Sequence, residues 1–186
     1  MSENKSLSTA ILAGGCFWCT EAVFKRIEGV EDVKSGYTGG AIKNPSYREI
    51  CTGRTGHAEA VKIIFDENKI SFMGILEVFF ATHDPTTLNR QGNDVGSQYR
   101  SAIFYTTEEQ KSQAISFIEM LGEEKIYENK IVTEVTEQKP FYLAEDSHQD
   151  YYEYNKTQPY CQVIINPKLK KLESYFQNKL KKTNAI

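Results

Sequence analysis

A cysteine at the start of a helix is the first feature of the chain that could do chemistry. Residues 14–19 read Gly-Gly-Cys-Phe-Trp-Cys and follow a short apolar run at residues 10–13. This pattern places Cys16 at a strand-to-helix turn, where unpaired backbone N–H groups and the helix dipole favour a thiolate. The paired glycines allow a sharp turn and leave the sulfur accessible. We interpret Cys16 as a nucleophile; the alternative is a buried cysteine that only packs.

The cysteine and histidine content limits the other uses of this thiol. The chain has four cysteines, Cys16, Cys19, Cys51 and Cys161, and three histidines scattered along its length. Because we predict no signal peptide, such thiols indicate reactive or buried cysteines rather than a disulfide framework. Only one Cys-x-x-Cys pair occurs, whereas structural zinc usually needs four ligands at paired spacings. We therefore predict no metal and no cofactor.

A carboxyl group is the second candidate for chemistry. Residues 57–65 alternate as a strand does, and Lys62 marks the even positions as the more polar face. Glu59 lies on the odd, apolar face, where loss of solvent favours a protonated carboxyl. A protonated carboxyl is what a general acid requires. The alternative is a glutamate at a strand end that leans out into water.

Composition narrows the class of protein. The 186 residues are 40% hydrophobic and 25% charged, which is typical of a soluble globular domain. A net charge of -3 argues against nucleic acid as a partner, and no apolar run is long enough to span a membrane. We predict a cytoplasmic monomer with one catalytic domain over residues 1–186, a core at about 9–167 and a C-terminal helix at about 167–182.

The hydrophobic pattern predicts the elements that must position these groups. Their order is strand, helix, strand, strand, helix, strand, over residues 9–13, 17–27, 30–37, 57–65, 71–82 and 102–105. This order is typical of an α+β, ferredoxin-like split βαβ two-layer sandwich, and the later elements are C-terminal additions. Residues 38–56 are predicted as a loop, and residues 161–165 as a last short strand. Residues 83–98 are interpreted as an ordered loop that forms part of the site; disorder is the alternative.

Four segments carry a resemblance to a known family. Residues 14–18, 55–59, 83–87 and 93–101 closely resemble motifs of the A-type peptide methionine sulfoxide reductases, and matching positions extend from about residue 9 to about residue 167. The resemblance implies the split βαβ fold named above. It also implies reduction of the S epimer of methionine sulfoxide, free or in proteins, to methionine, which repairs oxidative damage.

The resemblance assigns expected roles to individual residues. Cys16 matches the nucleophile and Glu59 the proton donor of the family. Tyr47 and Tyr99 match the tyrosines whose hydroxyl groups hydrogen bond to the sulfoxide oxygen.

Three further positions are implied to bind the substrate. Phe17 and Trp18 match the aromatic pair that receives the methyl group, which is a favourable contact for a methyl on sulfur. Asp94 matches an acidic residue that orients groups in the pocket.

The recycling of Cys16 is left open by the sequence. A sulfenic acid at Cys16 would condense with another thiol. Cys161 resembles the family's resolving position, although the apolar run after it indicates a strand, and Cys19 stands where the family commonly has Gly. We favour Cys161 over Cys19, regard Cys51 as inert, and expect thioredoxin or another thiol as the reductant. A sulfenic acid that forms no disulfide would instead point to direct reduction by an external thiol.

Two other functions fit the same residues. One is a general dithiol-disulfide oxidoreductase that uses Cys16 and Cys19; it would need a cis-proline facing the motif, for which Pro140 is the nearest candidate. The other is a binding domain that uses the aromatic pocket without catalysis.

Overall fold

The computed structural model describes residues 4–182; the ends of the predicted domain, residues 1–3 and 183–186, lie outside this description. The strands are β1 Leu7–Gly14, β2 Val30–Thr38, β3 Ala58–Asp66, β4 Arg90–Gln91, β5 Asp94–Val95, β6 Ser101–Tyr105, β7 Glu134–Glu137 and β8 Tyr142–Leu143. The α-helices are α1 Phe17–Phe24, α2 Tyr47–Cys51, α3 Phe72–Thr82, α4 Glu108–Glu123, α5 Tyr151–Tyr154 and α6 Asn166–Phe176. Short 3₁₀ turns occupy Ser97–Tyr99, Asp146–His148 and Gln177–Lys179.

The architecture is a mixed α/β fold built on one six-stranded sheet. The strand order is β7-β6-β1-β3-β2-β8, and the four inner strands β6, β1, β3 and β2 pair antiparallel with one another. Only β7 runs parallel to its partner, β6. Helix α1 packs against β2 and β3, and α3 packs against α4 and α6. No helix in residues 4–182 is both long and apolar enough to span a membrane.

Strand β3 shows how the sequence divides the core between the two faces of the sheet. Its odd positions Val61, Ile63 and Phe65 are buried in the main core, where the helices also pack. Its even positions Ala58 and Ala60 belong to a smaller cluster on the other face. The alternation that predicted an inward odd face is therefore confirmed, and Glu59 lies on that inward face.

Two predicted helix starts are confirmed by their capping hydrogen bonds. The side chain of Ser71 accepts a hydrogen bond from the N–H of Gly74, and that of Thr107 accepts one from the N–H of Gln110. Helix α1 ends at Phe24, three residues before the predicted end at residue 27. The loop predicted over residues 38–56 contains helix α2, which has a complete capping box between Ser46 and Glu49.

The prediction of a strand at residues 161–165 is wrong. Cys161–Ile165 is a π-helical turn that continues directly into α6, and the N–H of Asn166 donates to the carbonyl of Cys161. Pro167 follows within the same helix and has no N–H to give, which favours a local departure from α-helical bonding. Cys161 and Ile165 are buried while Gln162 and Val163 are exposed, so the segment buries a helical face rather than alternating.

Residues 83–98 are ordered into local structure. β4 and β5 form a two-stranded hairpin, in which Gln91 pairs with Asp94 across a turn that contains Gly92 at φ 57°. The 3₁₀ turn Ser97–Tyr99 follows and leads into β6. The hairpin and this turn place Asp94 and Tyr99 near the start of α1, which fits a loop that forms part of the site.

Candidate active site

Cys16 lies at the N-cap of α1, at the turn that the two glycines predict. Gly15 has φ 98°, a left-handed conformation that side chains disfavour, and the carbonyl of Cys16 accepts a hydrogen bond from the N–H of Cys19 at 3.1 Å. The side chain of Cys16 is 7% exposed. The thiol is therefore almost completely enclosed by protein in the resting state.

Glu59 is the buried acid next to this thiol. It is 1% exposed, accepts a hydrogen bond from the backbone N–H of Phe17 at 3.0 Å, and is hydrogen bonded to the Cys16 side chain. Burial raises the pKa of Glu59 to about 8, and the negative charges of Asp94 and Cys19 act in the same direction. The carboxyl group is therefore largely protonated at neutral pH.

Cys16 and Cys19 form a hydrogen-bonded thiol pair. Burial raises the pKa of Cys16 well above its usual range, and the hydrogen bond to Cys19 and the nearby Glu59 raise it further. The same hydrogen bond lowers the pKa of Cys19 to about 7. The sequence predicted easy ionisation of Cys16 from its place at the helix start; in the structure, desolvation outweighs that effect, because the thiol is shielded from water.

Two tyrosines lie close to the carboxyl group of Glu59. Tyr47 comes from α2 and Tyr99 from the 3₁₀ turn, and both are half-buried. Burial raises the pKa of each hydroxyl group, and the charge of Glu59 raises it further. Both are therefore protonated donors at neutral pH. Glu145 fixes the start of α2, since its carboxylate accepts the N–H of Tyr47 and the hydroxyl of Tyr37, each at 3.1 Å.

Aromatic rings form a wall around the start of α1. Phe17 is 1% exposed, and its ring lies 6.5 Å from that of Tyr47, centroid to centroid. Trp18 is half-buried and stacks on Tyr151 with the ring centroids 3.7 Å apart. Its indole N–H donates to Nδ1 of His148 at 3.1 Å.

A hydrogen bond ties Asp94 to the C-terminal part of the chain. The hydroxyl of Tyr160 donates to Asp94 at 2.7 Å and lies 3.7 Å from the sulfur of Cys19. Cys161 follows Tyr160, has no exposed surface, and is close enough to Cys19 for that charge to raise its pKa further, after burial. All four cysteines are free thiols, and Cys51 alone is exposed.

The structure thus brings together all nine residues that the sequence singled out. These are Cys16, Phe17, Trp18, Cys19, Tyr47, Glu59, Asp94, Tyr99 and Cys161. Sequence reasoning missed His148, Tyr151 and Tyr160, which complete the aromatic wall and hold Asp94. The only signal for them was the high tyrosine content after residue 140. Residues 4–182 contain no group of three or more His, Cys, Asp or Glu side chains placed to hold a metal ion.

A thiol next to a buried, neutral carboxyl group, with tyrosine hydroxyls and an aromatic wall in front, defines a class of thiol-dependent reductase site. The thiol supplies the electrons and the acid supplies a proton, while the hydroxyl groups donate hydrogen bonds to an oxygen atom of the substrate. This combination suits a small, polar S–O or O–O group carried on an apolar chain.

Comparison with known proteins identifies the family. Residues 8–180 match the model of the peptide methionine sulfoxide reductases. The chain is 56% identical over 174 residues to peptide methionine sulfoxide reductase MsrA of Trichodesmium erythraeum, covering 94% of this chain and 98% of the relative. The chain belongs to the peptide methionine sulfoxide reductase family.

Solved structures agree with this assignment. Methionine sulfoxide reductase A of Corynebacterium diphtheriae is 34% identical, with a TM-score of 0.78 over 84% of this chain and 78% of that chain. Mxr1 from Saccharomyces cerevisiae in its reduced form is 32% identical, with a TM-score of 0.77 over 87% of this chain and 92% of that chain.

Proposed function

We propose that this chain reduces the S epimer of methionine sulfoxide, free or within proteins, to methionine. The single observation that carries the proposal is the buried carboxyl group of Glu59, hydrogen bonded to Cys16 and to the N–H of Phe17. A proton held at this position is ready for an oxygen bound in front of the thiol. Membership of the reductase family supports the same conclusion.

The first step joins the two sulfur atoms. The Cys16 sulfur attacks the sulfoxide sulfur while Glu59 gives its proton to the oxygen, and the hydroxyls of Tyr47 and Tyr99 hold that oxygen. The protonated oxygen then passes from the methionine sulfur to the Cys16 sulfur while the new S–S bond breaks. Methionine leaves with its sulfur reduced by two electrons, and Cys16 carries the oxygen as a sulfenic acid. Burial raises the pKa of Cys16, so the resting thiol keeps its proton and passes it to the hydrogen-bonded Glu59 as the sulfur attacks.

The aromatic wall is suited to the methyl group of the substrate. Phe17 and Trp18 present ring surface beside the thiol, and a polarised methyl on sulfur makes favourable contacts with such rings. Asp94, held by Tyr160, lies close enough to Glu59 for its charge to raise the pKa of that acid. We assign to Asp94 the role of keeping Glu59 protonated as well as orienting the pocket.

A second thiol returns Cys16 toward its reduced state. We propose Cys161 as the resolving cysteine: its thiol condenses with the sulfenic acid, a disulfide forms and water leaves. Cys161 begins a π-helical turn, a rare form that is frequent at functional sites. Cys19 is the alternative, and its hydrogen bond with Cys16 already places it within reach.

The remaining predictions complete the proposal. Yeast Mxr1 has also been solved in complex with Trx2, and we propose thioredoxin or a similar dithiol as the reductant of the present chain. We further propose a cytoplasmic monomer with a single catalytic domain. We infer that β1, α1, β2, β3, α3 and β6 form the ferredoxin-like split βαβ core, because the strand order β6-β1-β3-β2 is antiparallel throughout.

A stopped assay with the separated epimers tests the proposed function. The wild-type protein with a dithiol reductant should convert the S epimer and leave the R epimer unchanged. Cys16→Ser should abolish turnover, and Glu59→Gln should fold normally and lower kcat by roughly 10²- to 10⁴-fold, as expected for loss of a general acid. Full activity of Cys16→Ser would refute the proposal.

A general dithiol-disulfide oxidoreductase is not favoured. The family match covers nearly the whole chain, and its members are named for sulfoxide reduction rather than disulfide exchange. Reduction of insulin disulfides by this protein at a rate equal to its sulfoxide turnover would be the result that revives this alternative.

A further inference from the structure

One face of helix α1 holds the segment that forms the outer part of the aromatic wall. Trp18, Glu21 and Lys25 lie three and four residues apart and so share this face. Trp18 contacts His148 and Tyr151, Glu21 accepts a hydrogen bond from the backbone N–H of Tyr151, and Lys25 forms an ion pair with Asp150. Three successive contacts therefore fix residues 148–151 against the helix.

Glu21 is the unexpected member of this set. It is 1% exposed, and its carboxylate accepts the Ser35 hydroxyl at 3.1 Å in addition to the N–H of Tyr151. Burial raises its pKa, and the charge of Lys25 lowers it. Burying an ionisable group is costly unless its hydrogen bonds are made. The reaction proposed above gives this carboxyl group no part, so its burial needs another reason.

The partners of Glu21 connect the sheet to the wall. Ser35 lies in β2, and its backbone is bridged on the other side by Gln149, which accepts its N–H at 3.0 Å and donates to its carbonyl at 2.8 Å. Glu21 thus links the helix, strand β2 and the chain at Tyr151 through one carboxyl group. The ring of Tyr151 then lies nearly parallel to Trp18, at an interplanar angle of 6°.

We propose that Glu21 is a positioning residue of the sulfoxide pocket, which holds the backbone of Tyr151 so that its ring sets the plane of Trp18 against the substrate methyl group. This role rests on the proposed reductase function. It assigns Glu21 an effect on substrate binding through Trp18, without contact between Glu21 and the substrate.

The test uses the intrinsic fluorescence of Trp18, which is the only tryptophan in the chain. Glu21→Met keeps the volume and removes the acceptors, while Glu21→Asp keeps the charge and withdraws the carboxylate by one methylene. Glu21→Gln can accept from Tyr151 N–H and donate to Ser35, so it should preserve the geometry. For each protein we would record the emission spectrum without substrate, the thermal midpoint, and kcat and KM for the S epimer.

The expected pattern separates positioning from simple stabilisation. Glu21→Met and Glu21→Asp should shift Trp18 emission to longer wavelength and raise KM by roughly three- to tenfold, the range expected for loss of one aromatic pair, with a smaller change in kcat. Glu21→Gln should match the wild type in emission and KM. If Glu21→Met fails to fold, Glu21→Asp decides alone.

Three results would overturn the assignment. The first is a folded Glu21→Asp with unchanged emission and KM, even if its thermal midpoint falls. The second is a Glu21→Gln variant that behaves like Glu21→Met, since charge rather than positioning would then matter. The third is an equal shift from Glu153→Gln, a control that removes the surface ion pairs of Glu153 with Arg26, just after α1, and with Lys156. Absence of sulfoxide turnover in the wild type would count against the proposed function only, because the emission test needs no substrate.

Discussion

The carboxyl group of Glu59 and the backbone N–H of Phe17 are joined by a hydrogen bond of 3.0 Å, which fixes the acid directly beside the residue that follows the nucleophile. A hydrogen bond from N–H favours the ionised carboxylate, yet burial is the larger influence and keeps the pKa at about 8. The acid is thus positioned by the same contact that would otherwise deprotonate it.

The first prediction concerns stability and pH. The pKa of Glu59 is raised in the folded state to about 8, from about 4.5 in an unfolded chain. The contribution of protonated Glu59 to the unfolding free energy is therefore fully present below pH 4.5. It is lost as the pH rises toward 8, because the unfolded chain releases this proton at lower pH than the folded protein does. Relative to Glu59→Gln, the wild type should lose roughly 2–5 kcal/mol of unfolding free energy between pH 4.5 and pH 8.

Urea unfolding of both proteins at several pH values measures this difference. Glu119→Gln, on the exposed face of α4, is the control that removes a carboxyl group without burial. If the unfolding free energies of the wild type and Glu59→Gln change in parallel over this pH range, the pKa of Glu59 is not raised. The same titration should appear in the enzyme, with kcat falling above about pH 8 as the acid loses its proton.

The second prediction concerns the disulfide that follows turnover. One equivalent of methionine sulfoxide without reductant should give a Cys16–Cys161 disulfide, mapped by mass spectrometry of proteolytic fragments. Cys51→Ser should give the same map, since Cys51 is exposed whereas the other three cysteines are buried.

Other maps have definite meanings. A Cys16–Cys19 disulfide in the wild type would make Cys19 the resolving residue and contradict the role of Cys161. A stable sulfenic acid without any disulfide would exclude both and point to direct reduction by an external thiol.

The third prediction concerns the turn before the nucleophile. Gly15→Ala places a Cβ at φ 98°, and that atom would lie 2.5 Å from Cγ of Gln91 in the hairpin. Strain and overlap should lower stability by about 1–3 kcal/mol and displace Cys16. Gly122→Ala is the matched control: its Cβ would meet no atom within 4 Å inside α4, so it should raise stability by about 0.4–1 kcal/mol.

Thermal unfolding of the wild type, Gly15→Ala and Gly122→Ala measures both the expected loss and the expected gain of stability. Equal midpoints for Gly15→Ala and the wild type would show that the turn tolerates a side chain. In that case the paired glycines would be needed to keep the Cys16 sulfur accessible rather than to allow the left-handed backbone conformation.

The parts of the site that the sequence predicted are those governed by local pattern. Alternation over residues 57–65 predicted the inward face of Glu59, and the glycine pair predicted the turn at Cys16. The pKa of Cys16 is raised rather than lowered, because desolvation depends on all elements packed around the thiol. His148, Tyr151 and Tyr160 were missed because their contacts with Trp18 and Asp94 span many positions of the chain.

Two local errors had different physical causes. Helix α2 was missed although the sequence carries its signal, the Ser46 and Glu49 spacing of a capping box. The strand predicted at Cys161 rested on a short apolar run, and such a run does not distinguish a strand from one buried turn of helix. Only the structure shows that Cys161 and Ile165, four positions apart, are both buried, as expected for one face of a helix.

The antiparallel pairing of β1 with β3 has a consequence for how activity arises during folding. The nucleophile follows β1 and the acid lies in β3, and the two strands are separated along the chain by α1, β2 and α2. The catalytic pair therefore does not exist in any local fragment or early hairpin. Sulfoxide turnover should therefore return during refolding only when β1 and β3 have paired. Enzyme activity can thus be used to follow assembly of the sheet.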